Sequence, residues 1–519
     1  MSLATLQRSA EVSPVPAHAP RRWLFALAAA VLLGQMAIAM ITTAVAQTPT
    51  VDEPVYIGTT VVYLEQHSLR YNPEHPPLGK LIMATGLTFA DARLDPGFSG
   101  DQTELGRHVL YEAGNDPAAL LLAARLPMIV LTLLFGVVVY LFATDVSSRT
   151  GGLVALALYA FSPDLIAHGS LATLDVAAAG FLLTSAWLLW RGRHDPALYV
   201  PLAGLALGAA LATKMSALAA VPVLLFLVFR QARAKAAVVL VVVAVAVVWA
   251  SYLAVDPLLR WESPPGLPSA PVGLLPFPEP YLDGLRVQLG MEHRVWGGYL
   301  FGTHYEGSHW YYLPAALLVK TPVGALLLWA AGAVALARRP AAAYVLAPAG
   351  VLLLFAMTGD RDLGVRYAIF VPMFLAVATA VVAHRRYTAL AVAAVAVSSL
   401  WTFPYYLPYS NEIFGGPSKT HLHLHDSNVD WGQDLGRLAE RLKRYPGERT
   451  WLVYKGAGVP EHYGIRAADP RGVAADQVRG LLVVSTTAIA KADDALRALV
   501  DTSTPIDVVG HSITIFRRP

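Results

Sequence analysis

About eleven apolar runs follow one another along this sequence, and they leave the chain few ways to fold. The first run, residues 23–47, would span roughly 37 Å as a helix, which exceeds the hydrocarbon thickness of a bilayer. The remaining runs cover approximately residues 120–144, 151–163, 172–190, 198–212, 217–229, 236–255, 312–336, 344–357, 364–383 and 389–407. Only 14% of the residues are charged, whereas soluble domains carry about a quarter. We therefore predict a polytopic α-helical membrane protein of about eleven transmembrane helices.

Basic residues mark one side of the predicted spans. They recur at every second boundary, at Arg21/Arg22, Arg149, Arg191/Arg193, Arg230/Arg233/Lys235, Arg338/Arg339 and Arg385/Arg386. Cytoplasmic loops of membrane proteins are enriched in Lys and Arg, so we place all of these clusters inside. For all of these clusters to lie on the same side of the membrane, residues 198–229 must form a hairpin of two short spans rather than one long helix. The N-terminus is then cytoplasmic in a multi-pass protein of the cell membrane.

The same parity divides the chain into domains. Residues 1–22, rich in Ser, Pro and Ala, are expected to form a disordered cytoplasmic N-terminus, and residues 23–407 the transmembrane domain. Two long loops of this domain, 48–119 and 256–311, are placed on the extracytoplasmic side, and residues 408–519 follow on that side. Loops as long as the first are uncommon without a function, which directs the search for chemistry to the outer face.

The segment 408–519 has the pattern of a small extracytoplasmic α/β domain. Leu435, Leu438 and Leu442 lie on one face of an amphipathic helix that runs to about Tyr445. Four short apolar stretches are typical of strands: residues 451–454, 481–485, 506–509 and 512–516. The stretch 427–434 is unusually polar, but no part of the domain has the spacing of a known cofactor fingerprint.

Composition excludes several kinds of site. The formal net charge is only +3, which gives no reason to expect a nucleic-acid partner. Cys is absent, so the chain has no disulfides, no thiol nucleophile and no Cys-based metal site. His293, His304 and His309 in the second long loop leave a divalent metal open, although their spacing alone is a weak indication. Aromatic and glycine-rich loops of this kind also cover lipids or sugars.

The first outer loop carries the clearest chemical signal. Asp52-Glu53 stands where the first span meets water, and His75-Pro76-Pro77-Leu78-Gly79-Lys80 follows about twenty residues later. A partly desolvated carboxylate could take a proton from an attacking acceptor; a solvated acidic pair at a helix end is the alternative. The prolines stiffen the later segment, Gly79 lets a backbone approach closely, and Lys80 suits a phosphate. That segment could equally be only a rigid lead-in to a surface helix.

Ionisable residues also occur in or beside predicted spans at the outer face. Asp175 lies just inside the start of the fourth span, where a functional role is the default hypothesis, although a helix dipole also favours an acid there. His168, in the preceding loop, could ligate a metal or transfer protons, and a structural hydrogen bond is the alternative. Lys320 and Arg366 lie in apolar runs, where together with Lys80 they could bind a headgroup phosphate. Lys320 could instead snorkel to the interface.

Together these motifs resemble the protein O-mannosyltransferase family. The shared elements are Asp52-Glu53 after the first span, His75-Pro76-Pro77-Leu78-Gly79-Lys80 in the same loop, and Leu174-Asp175 at the fourth span. Residues 311–322, Gly364-Val365-Arg366-Tyr367 and residues 426–435 are similar to the bacterial phospholipid carrier-dependent branch. Both belong to the C-type glycosyltransferase (GT-C) superfamily. The resemblance covers nearly the whole chain and implies a GT-C-like transmembrane catalytic domain.

The resemblance also implies roles for particular residues. Asp52 matches the family's catalytic acidic position, with Glu53 beside it, and Asp175 matches a second acidic motif that lines the active-site cavity. The segment 75–80 matches one packed beside the catalytic helix end. The predicted catalytic residues are thus Asp52, Glu53 and Asp175, and the predicted substrate-binding residues are His75, Lys80, His168, Lys320 and Arg366. The chain lacks the β-trefoil insertion of eukaryotic members, so protein, lipid and glycan acceptors all stay open.

The predicted function is therefore glycosyl transfer at the outer face of the membrane. A polyprenyl-phosphate-linked sugar would be the donor, Asp52 the base, and a direct displacement would invert the anomeric carbon. Membrane lipids are expected partners, and no nucleotide is required. A transporter or flippase of lipid-linked sugars is the alternative, but transporters place coupling residues near mid-membrane, often in repeated halves. A structural scaffold would not account for the outer-face carboxylates and cations.

Overall fold

The computed structural model describes residues 22–519, apart from the side chains of residues 231–233. Residues 1–21 of the predicted disordered tail lie outside this description, as does the side chain of Arg233, whereas Arg22 is the first residue of a helix. Within it the chain is mostly helical, with a small sheet near the C-terminus. The prediction of a helical membrane protein with a C-terminal α/β unit is confirmed at this level.

The described helices before the C-terminal domain occupy most of residues 22–402. They are α1 (Arg22–Ala46), α2 (Glu53–Gln66), α3 (Leu78–Leu87), α4 (Gln102–Arg107), α5 (Pro117–Val146), α6 (Arg149–Ala160), α7 (Pro163–Gly169), α8 (Asp175–Gly192), α9 (Pro196–Leu211), α10 (Val221–Val255), α11 (Glu279–Glu292), α12 (Tyr312–Lys320), α13 (Val323–Leu336), α14 (Ala342–Ala356), α15 (Phe370–Ala378) and α16 (Arg386–Thr402). Short 3-10 helices connect several of them, including Met215–Ala220 and Val365–Ala368. Strands β1 (Gly297–Leu300) and β2 (Thr303–Glu306) form an antiparallel hairpin in the second long loop.

Several of these helices have the length and composition of membrane spans. By those measures three described helices could cross a membrane: Arg22–Ala46, Pro117–Val146 and Ala234–Val255. Two bent pairs, α6 with α7 and α12 with α13, raise the number to as many as five, and further apolar helices are shorter. On α1, Val31, Ile38 and Val45 are each more than 60% exposed. Such an exposed apolar face is expected of a helix in contact with lipid.

The predicted span over residues 312–336 is not one unbroken helix. The structure has α12 and α13 there, bent by 120° at the break between them. Thr321 at the break is extended, with φ −98° and ψ 132°. It precedes Pro322, which restricts the residue before it and has no N–H to continue the helical hydrogen bonds. Lys320 is therefore the last residue of α12, at the bend, rather than a residue inside an unbroken apolar helix.

The second half of α10 packs along α9. Gly204 of α9 lies against Leu240 of α10, and one turn later Gly208 lies against Ala244. These two helical segments therefore run in the same direction, and the chain has to run back between them. Helical residues nonetheless continue from Val221 to Val255, so the runs predicted as separate spans, 217–229 and 236–255, are not divided by a non-helical loop in the described backbone.

The first long loop, residues 48–119, is largely helical, since it holds α2, α3 and α4. A buried apolar cluster that includes Ile57, Met83, Leu105 and Leu121 joins these helices to α5. Gly106 of α4 lies so close to Pro54 of α2 that a side chain there would meet the Pro54 backbone at 2.5 Å. This packing fixes the start of α2, which directly follows Asp52.

The C-terminal domain is a four-stranded sheet with helices α17 (Leu435–Leu442), α18 (Thr486–Ala490) and α19 (Asp494–Asp501). Strands β3 (Thr450–Val453), β4 (Gly480–Ser485), β5 (Thr504–Val509) and β6 (Ile513–Arg518) lie in the order β3–β4–β6–β5, and only β3 and β4 pair in parallel. Leu481 and Val483 pack towards α17, whereas Leu482 and Val484 pack towards α19. This alternation is the two-residue period of a strand with both faces covered. All four predicted strands and the predicted helix are confirmed.

Candidate active site

One cavity of about 690 Å³ is lined by residues of both the helical domain and the C-terminal domain. Its volume falls within the roughly 300–1,000 Å³ of typical small-molecule sites. Charged side chains reach it from separate segments, among them Asp52, Asp175, Lys214, Arg366, Asp426 and Lys455. The predicted histidine His75 also lines it. Apolar side chains of α8, α14 and α15, among them Leu182, Leu352 and Phe370, form other parts of the wall. A cavity with charged and apolar walls suits an amphipathic ligand.

Asp52 and Arg366 form an ion pair in this cavity. Arg366 Nη1 donates to Asp52 Oδ2 at 2.6 Å and lies 3.8 Å from Asp175 Oδ2. The Asp52 side chain is 26% exposed, more than that of either partner. Within residues 22–519, no hydrogen bond reaches Asp52 Oδ1. This oxygen is therefore free to accept a proton from a substrate.

Arg366 is held by aromatic rings and by the C-terminal segment. It lies in the 3-10 helix Val365–Ala368, whose first N–H donates to Asn428 Oδ1 at 2.9 Å. The guanidinium carbon stands 4.3 Å from the ring centroid of Trp431 and 5.0 Å from that of Tyr367. Each cation–π contact of this kind contributes roughly 0.5–2 kcal/mol. These contacts orient the guanidinium towards Asp52 and Asp175.

Asp175 and Lys214 form a second ion pair beside the first. Asp175 is the first residue of α8, and Lys214 lies in the turn that follows α9. The Lys214 ammonium contacts Asp175 Oδ1 and lies 5.3 Å from the ring centroid of Tyr367. Asp175 thus faces both Lys214 and Arg366. Two carboxylates and two cations from four separate segments meet in one place.

Glu53 does not line the cavity but forms a buried ion pair with Arg125. Both side chains are fully buried, and Arg125 donates to Glu53 Oε1 at 2.7 Å and Oε2 at 2.6 Å. Further partners are the carbonyl oxygens of Ala44, Gln47 and Thr48 for Arg125, and the N–H groups of Thr50 and Ala172 for Glu53. The network ties the end of α1, the start of α2 and the turn before α8 around Asp52. In this structure Glu53 is thus bonded away from the cavity, and its predicted catalytic role stays a prediction.

Lys80, predicted to meet a phosphate, lies in the interior. It is fully buried, and its ammonium donates to Asn72 Oδ1 at 2.9 Å and to the carbonyl oxygens of Asn72 and His75. All of these partners belong to its own loop. Gly79 beside it packs against Leu174, where a side chain would clash. The structure therefore uses Lys80 to fix the shape of the 72–80 loop, Gly79 packs that loop against the residue before α8, and Lys80 is not brought to Asp52.

Lys320, the other predicted phosphate ligand, is also buried and outside the cavity. Its ammonium donates to the carbonyl oxygens of Leu407 at 2.6 Å and Asn428 at 2.9 Å. It also lies 3.3 Å from Asp164 Oδ1. These partners anchor the chain after α16 to the bend between α12 and α13. Of the three predicted phosphate ligands, the structure brings only Arg366 to Asp52.

The two predicted histidines have different surroundings. His75 lines the cavity, and its ring packs edge-on against Tyr56 at 5.6 Å. Burial, with Lys214 and Lys80 nearby, holds the pKa of His75 well below its ordinary value, so the ring is neutral at pH 7. His168 is buried outside the cavity, 6.0 Å from the Trp431 ring. Neither of its ring nitrogens has a hydrogen-bond partner among the described residues, so the alternative of a structural hydrogen bond finds no support.

The polar segment 426–435 links the C-terminal domain to the residues before Asp52. Thr48 N donates to Gln433 O and Val51 N donates to Trp431 O, both at 3.0 Å. Together with the Asn428 contacts to Val365 and Lys320, these bonds make the segment a strap across the site. The unusual polarity of this stretch is therefore explained by its backbone and side-chain partners in the helical domain.

The histidines considered for a metal are not assembled into a metal site. His309 is stacked between Tyr305 and Tyr311, with ring centroids 4.0 and 5.1 Å away. In the part of the chain that the structure describes, no group of three or more His, Asp or Glu side chains is arranged to hold a metal ion. A metal requirement stays untested by this arrangement.

Sequence reasoning missed four residues that shape the site: Arg125, Lys214, Trp431 and Lys455. Arg125 and Lys214 had a usable signal, because one is charged inside the second apolar run and the other lies in a short turn that the sequence places at the outer face. Trp431 lies in the polar stretch 427–434, to which no role was given, and Lys455 had no signal. Only the tertiary fold brings these two from the C-terminal domain to the cavity.

Comparison with solved structures shows distant likenesses. ArnT from Cupriavidus metallidurans in the apo state is 16% identical with a TM-score of 0.47, covering 95% of this chain and 97% of that chain. The same protein bound to undecaprenyl phosphate is 15% identical with a TM-score of 0.46, covering 96% and 98%. The archaeal oligosaccharyltransferase AglB from Archaeoglobus fulgidus, in complex with an inhibitory peptide and a dolichol-phosphate, is 13% identical with a TM-score of 0.44, covering 93% and 73%.

Comparison of sequences gives a match to a family but not to an individual protein. No curated protein matches the chain. Residues 29–255 match the family described as dolichyl-phosphate-mannose-protein mannosyltransferase. This range contains Asp52, the segment 75–80, Asp175 and Lys214. The transporter alternative gains no support from any comparison. The match over residues 29–255 confirms the resemblance predicted from the motifs and, with it, the enzyme class, a membrane glycosyltransferase.

Proposed function

We propose that this protein transfers a sugar from a polyprenyl-phosphate donor to an extracytoplasmic acceptor, with inversion at the anomeric carbon. The convergence of Asp52, Asp175, Arg366 and Lys214 on one cavity carries this proposal. It supplies a carboxylate able to accept a proton beside cations able to hold a phosphate. The family match supports a lipid-phosphate donor, because the family is named for a dolichyl-phosphate-linked mannose.

Arg366 and Lys214 are the residues that would bind the donor phosphate. Both line the cavity, whereas Lys80 and Lys320 are buried away from it. The planar guanidinium can hold two phosphate oxygens at once, and the lysine adds a compact charge. The apolar wall formed by α8, α14 and α15 would take the first part of the isoprenoid.

Asp52 would act as the base in a single displacement. The acceptor oxygen attacks the anomeric carbon while the bond from that carbon to the phosphate oxygen breaks. The acceptor proton passes to Asp52 Oδ1, and polyprenyl phosphate leaves with the electron pair. Arg366 and Lys214 stabilise the charge that grows on the leaving phosphate. Attack opposite the leaving group inverts the configuration.

Arg366 would link donor binding to the reactivity of Asp52. Its guanidinium is paired with Asp52 Oδ2. A bound phosphate competes for the same guanidinium, so it weakens this pairing and leaves the Asp52 carboxylate better able to accept a proton. The base is then most reactive when the donor is in place, which limits unproductive chemistry in the empty enzyme.

We propose eleven spans, with the N-terminus cytoplasmic and the C-terminal domain extracytoplasmic. The parallel packing of α9 and the second half of α10 supports the hairpin that this parity needs, because the chain has to cross back between them. The basic clusters at alternate boundaries support the orientation. The cavity and residues 408–519 then face outside, where a protein, lipid or glycan acceptor would enter.

The direct test is turnover with purified protein in lipid nanodiscs. We would offer a panel of polyprenyl-phosphate sugars with candidate acceptors and follow the release of polyprenyl phosphate, with the Asp52→Asn variant as the control. Asp52-dependent cleavage of one donor, with an inverted anomeric product by NMR, is the expected result. Movement of intact lipid-linked sugar across a vesicle membrane, without cleavage, would instead indicate a transporter.

A further inference from the structure

The C-terminal domain brings a pair of lysines to the edge of the cavity. Lys455 follows β3 and lines the cavity together with Asp426. Lys491 directly follows α18, and its Nζ lies 3.7 Å from Asp426 Oδ2, the oxygen that Lys455 also contacts. The two lysine side chains are 37% and 28% exposed. Two accessible cations thus share one carboxylate oxygen, and the proposed chemistry uses neither.

Asp426 has little capacity left to balance both lysines. Its other oxygen, Oδ1, accepts from Ser427 N at 2.9 Å. Lys491 Nζ, at 3.7 Å from Oδ2, is beyond ordinary hydrogen-bond distance. The next carboxylate, Asp430, accepts from the N–H groups of Thr487 at 2.8 Å and Gly432 at 3.3 Å. Its oxygens are committed to the backbone rather than to the lysines.

The histidine that precedes Asp426 lacks hydrogen-bond partners for its ring. His425 is fully buried, and neither of its ring nitrogens has a hydrogen-bond partner among the described residues. Its electrostatic neighbours include Asp426, Lys455 and Lys491, and burial lowers its pKa to about 3. The ring is therefore neutral and carries one N–H without an acceptor. The neutral ring therefore adds no charge to the lysine pair, and Asp426 is the carboxylate that both lysines approach.

We infer that Lys455 and Lys491 form a binding site for an anionic group, a phosphate or a carboxylate, carried by the acceptor substrate. In the proposed mechanism the donor phosphate is bound by Arg366 and Lys214, which lie beside Asp52 and Asp175. The lysine pair belongs to the domain that we place outside the membrane, where acceptors enter. The acceptor assignment rests on the proposed function, whereas the anion site itself can be tested without turnover.

The test is lysine footprinting of the full-length protein in nanodiscs, with inorganic phosphate as the probe. Acylation of each lysine is measured by mass spectrometry as phosphate concentration rises. We expect Lys455 and Lys491 to be protected together, by about tenfold when phosphate is ten times its Kd. Lys443, which is exposed and paired with Glu440, is the control and should not be protected.

Two further arms separate the sources of the anion. Asp426→Asn keeps the Oδ1 acceptor but removes the competing charge, so phosphate should bind several-fold more tightly. Farnesyl phosphate, a probe for the donor site, should leave Lys455 and Lys491 unprotected, and Arg366→Gln should not change their protection by inorganic phosphate. Protection that needs Arg366, equal protection of Lys443, or no protection at all would each overturn the site. Retained Asp52-dependent turnover in those cases would leave the proposed function standing.

Discussion

Arg366 donates a 2.6 Å hydrogen bond to Asp52 although 314 positions separate the two in sequence. Asp52 follows α1, and Arg366 precedes α15 near the end of the helical domain. Trp431 stacks over the guanidinium and also accepts, through its carbonyl oxygen, from Val51 N. The pair therefore joins the two ends of the helical domain, and the segment 426–435 of the C-terminal domain packs over it.

Replacing Arg366 should separate donor binding from acceptor binding. In Arg366→Gln we expect KM for the lipid donor to rise by about tenfold or more, since a charge-assisted bidentate contact contributes roughly 1.5–3 kcal/mol. KM for the acceptor should change little. In Arg366→Lys, KM for the donor should lie between the wild-type value and that of Arg366→Gln. Arg497→Gln on α19 is the matched control. Normal donor binding with early melting in Arg366→Gln would make the residue structural.

The buried Glu53–Arg125 pair should matter for stability first. Glu53→Gln leaves the Arg125 charge buried without its counter-ion, which costs roughly 3–5 kcal/mol. We expect a large drop in Tm together with the loss of activity. The double variant Glu53→Leu, Arg125→Met removes both charges and should melt higher than Glu53→Gln. A single variant that melts like the wild type and still loses turnover would instead make Glu53 catalytic.

The sequence patterns predicted the location of the candidate site better than the role of each side chain in it. Asp175 was identified because ionisable residues inside apolar spans are costly, and Asp52 because a carboxylate where the first span meets water could act as a base. Glu53 could not be told from its neighbour, because successive helical residues point about 100° apart and only the fold shows which direction is the cavity. Lys320 was misplaced because the bend at Pro322 was not predicted.

The proposed anion site should weaken as Lys491 loses its proton. Burial, with Lys455 close by, lowers the pKa of Lys491 to about 8, while Asp426 opposes the shift. His425 is already neutral over this range. Sulfate keeps a constant charge, so its protection of Lys455 should fall by up to about tenfold between pH 7 and pH 9. Protection that stays constant to pH 9 would mean that Lys491 does not contribute.

The proposed topology predicts opposite behaviour at two fusion points. A reporter active only outside the cytoplasm should work when fused after Leu407, directly beyond α16, and fail after Arg339, between α13 and α14. The reverse pattern, or activity at both points, would contradict the eleven-span count. It would also move the cavity away from the outer face.

The most direct test of the central claim is the turnover of Asp52→Asn with an active polyprenyl-phosphate sugar. The substitution keeps the size of the side chain and its contact with Arg366 but removes the base. Turnover should fall by about 10²–10⁴, with Tm unchanged and with Asp501→Asn, an exposed carboxylate on α19, fully active. Turnover near the wild-type level in Asp52→Asn would contradict the account and turn attention to Asp175.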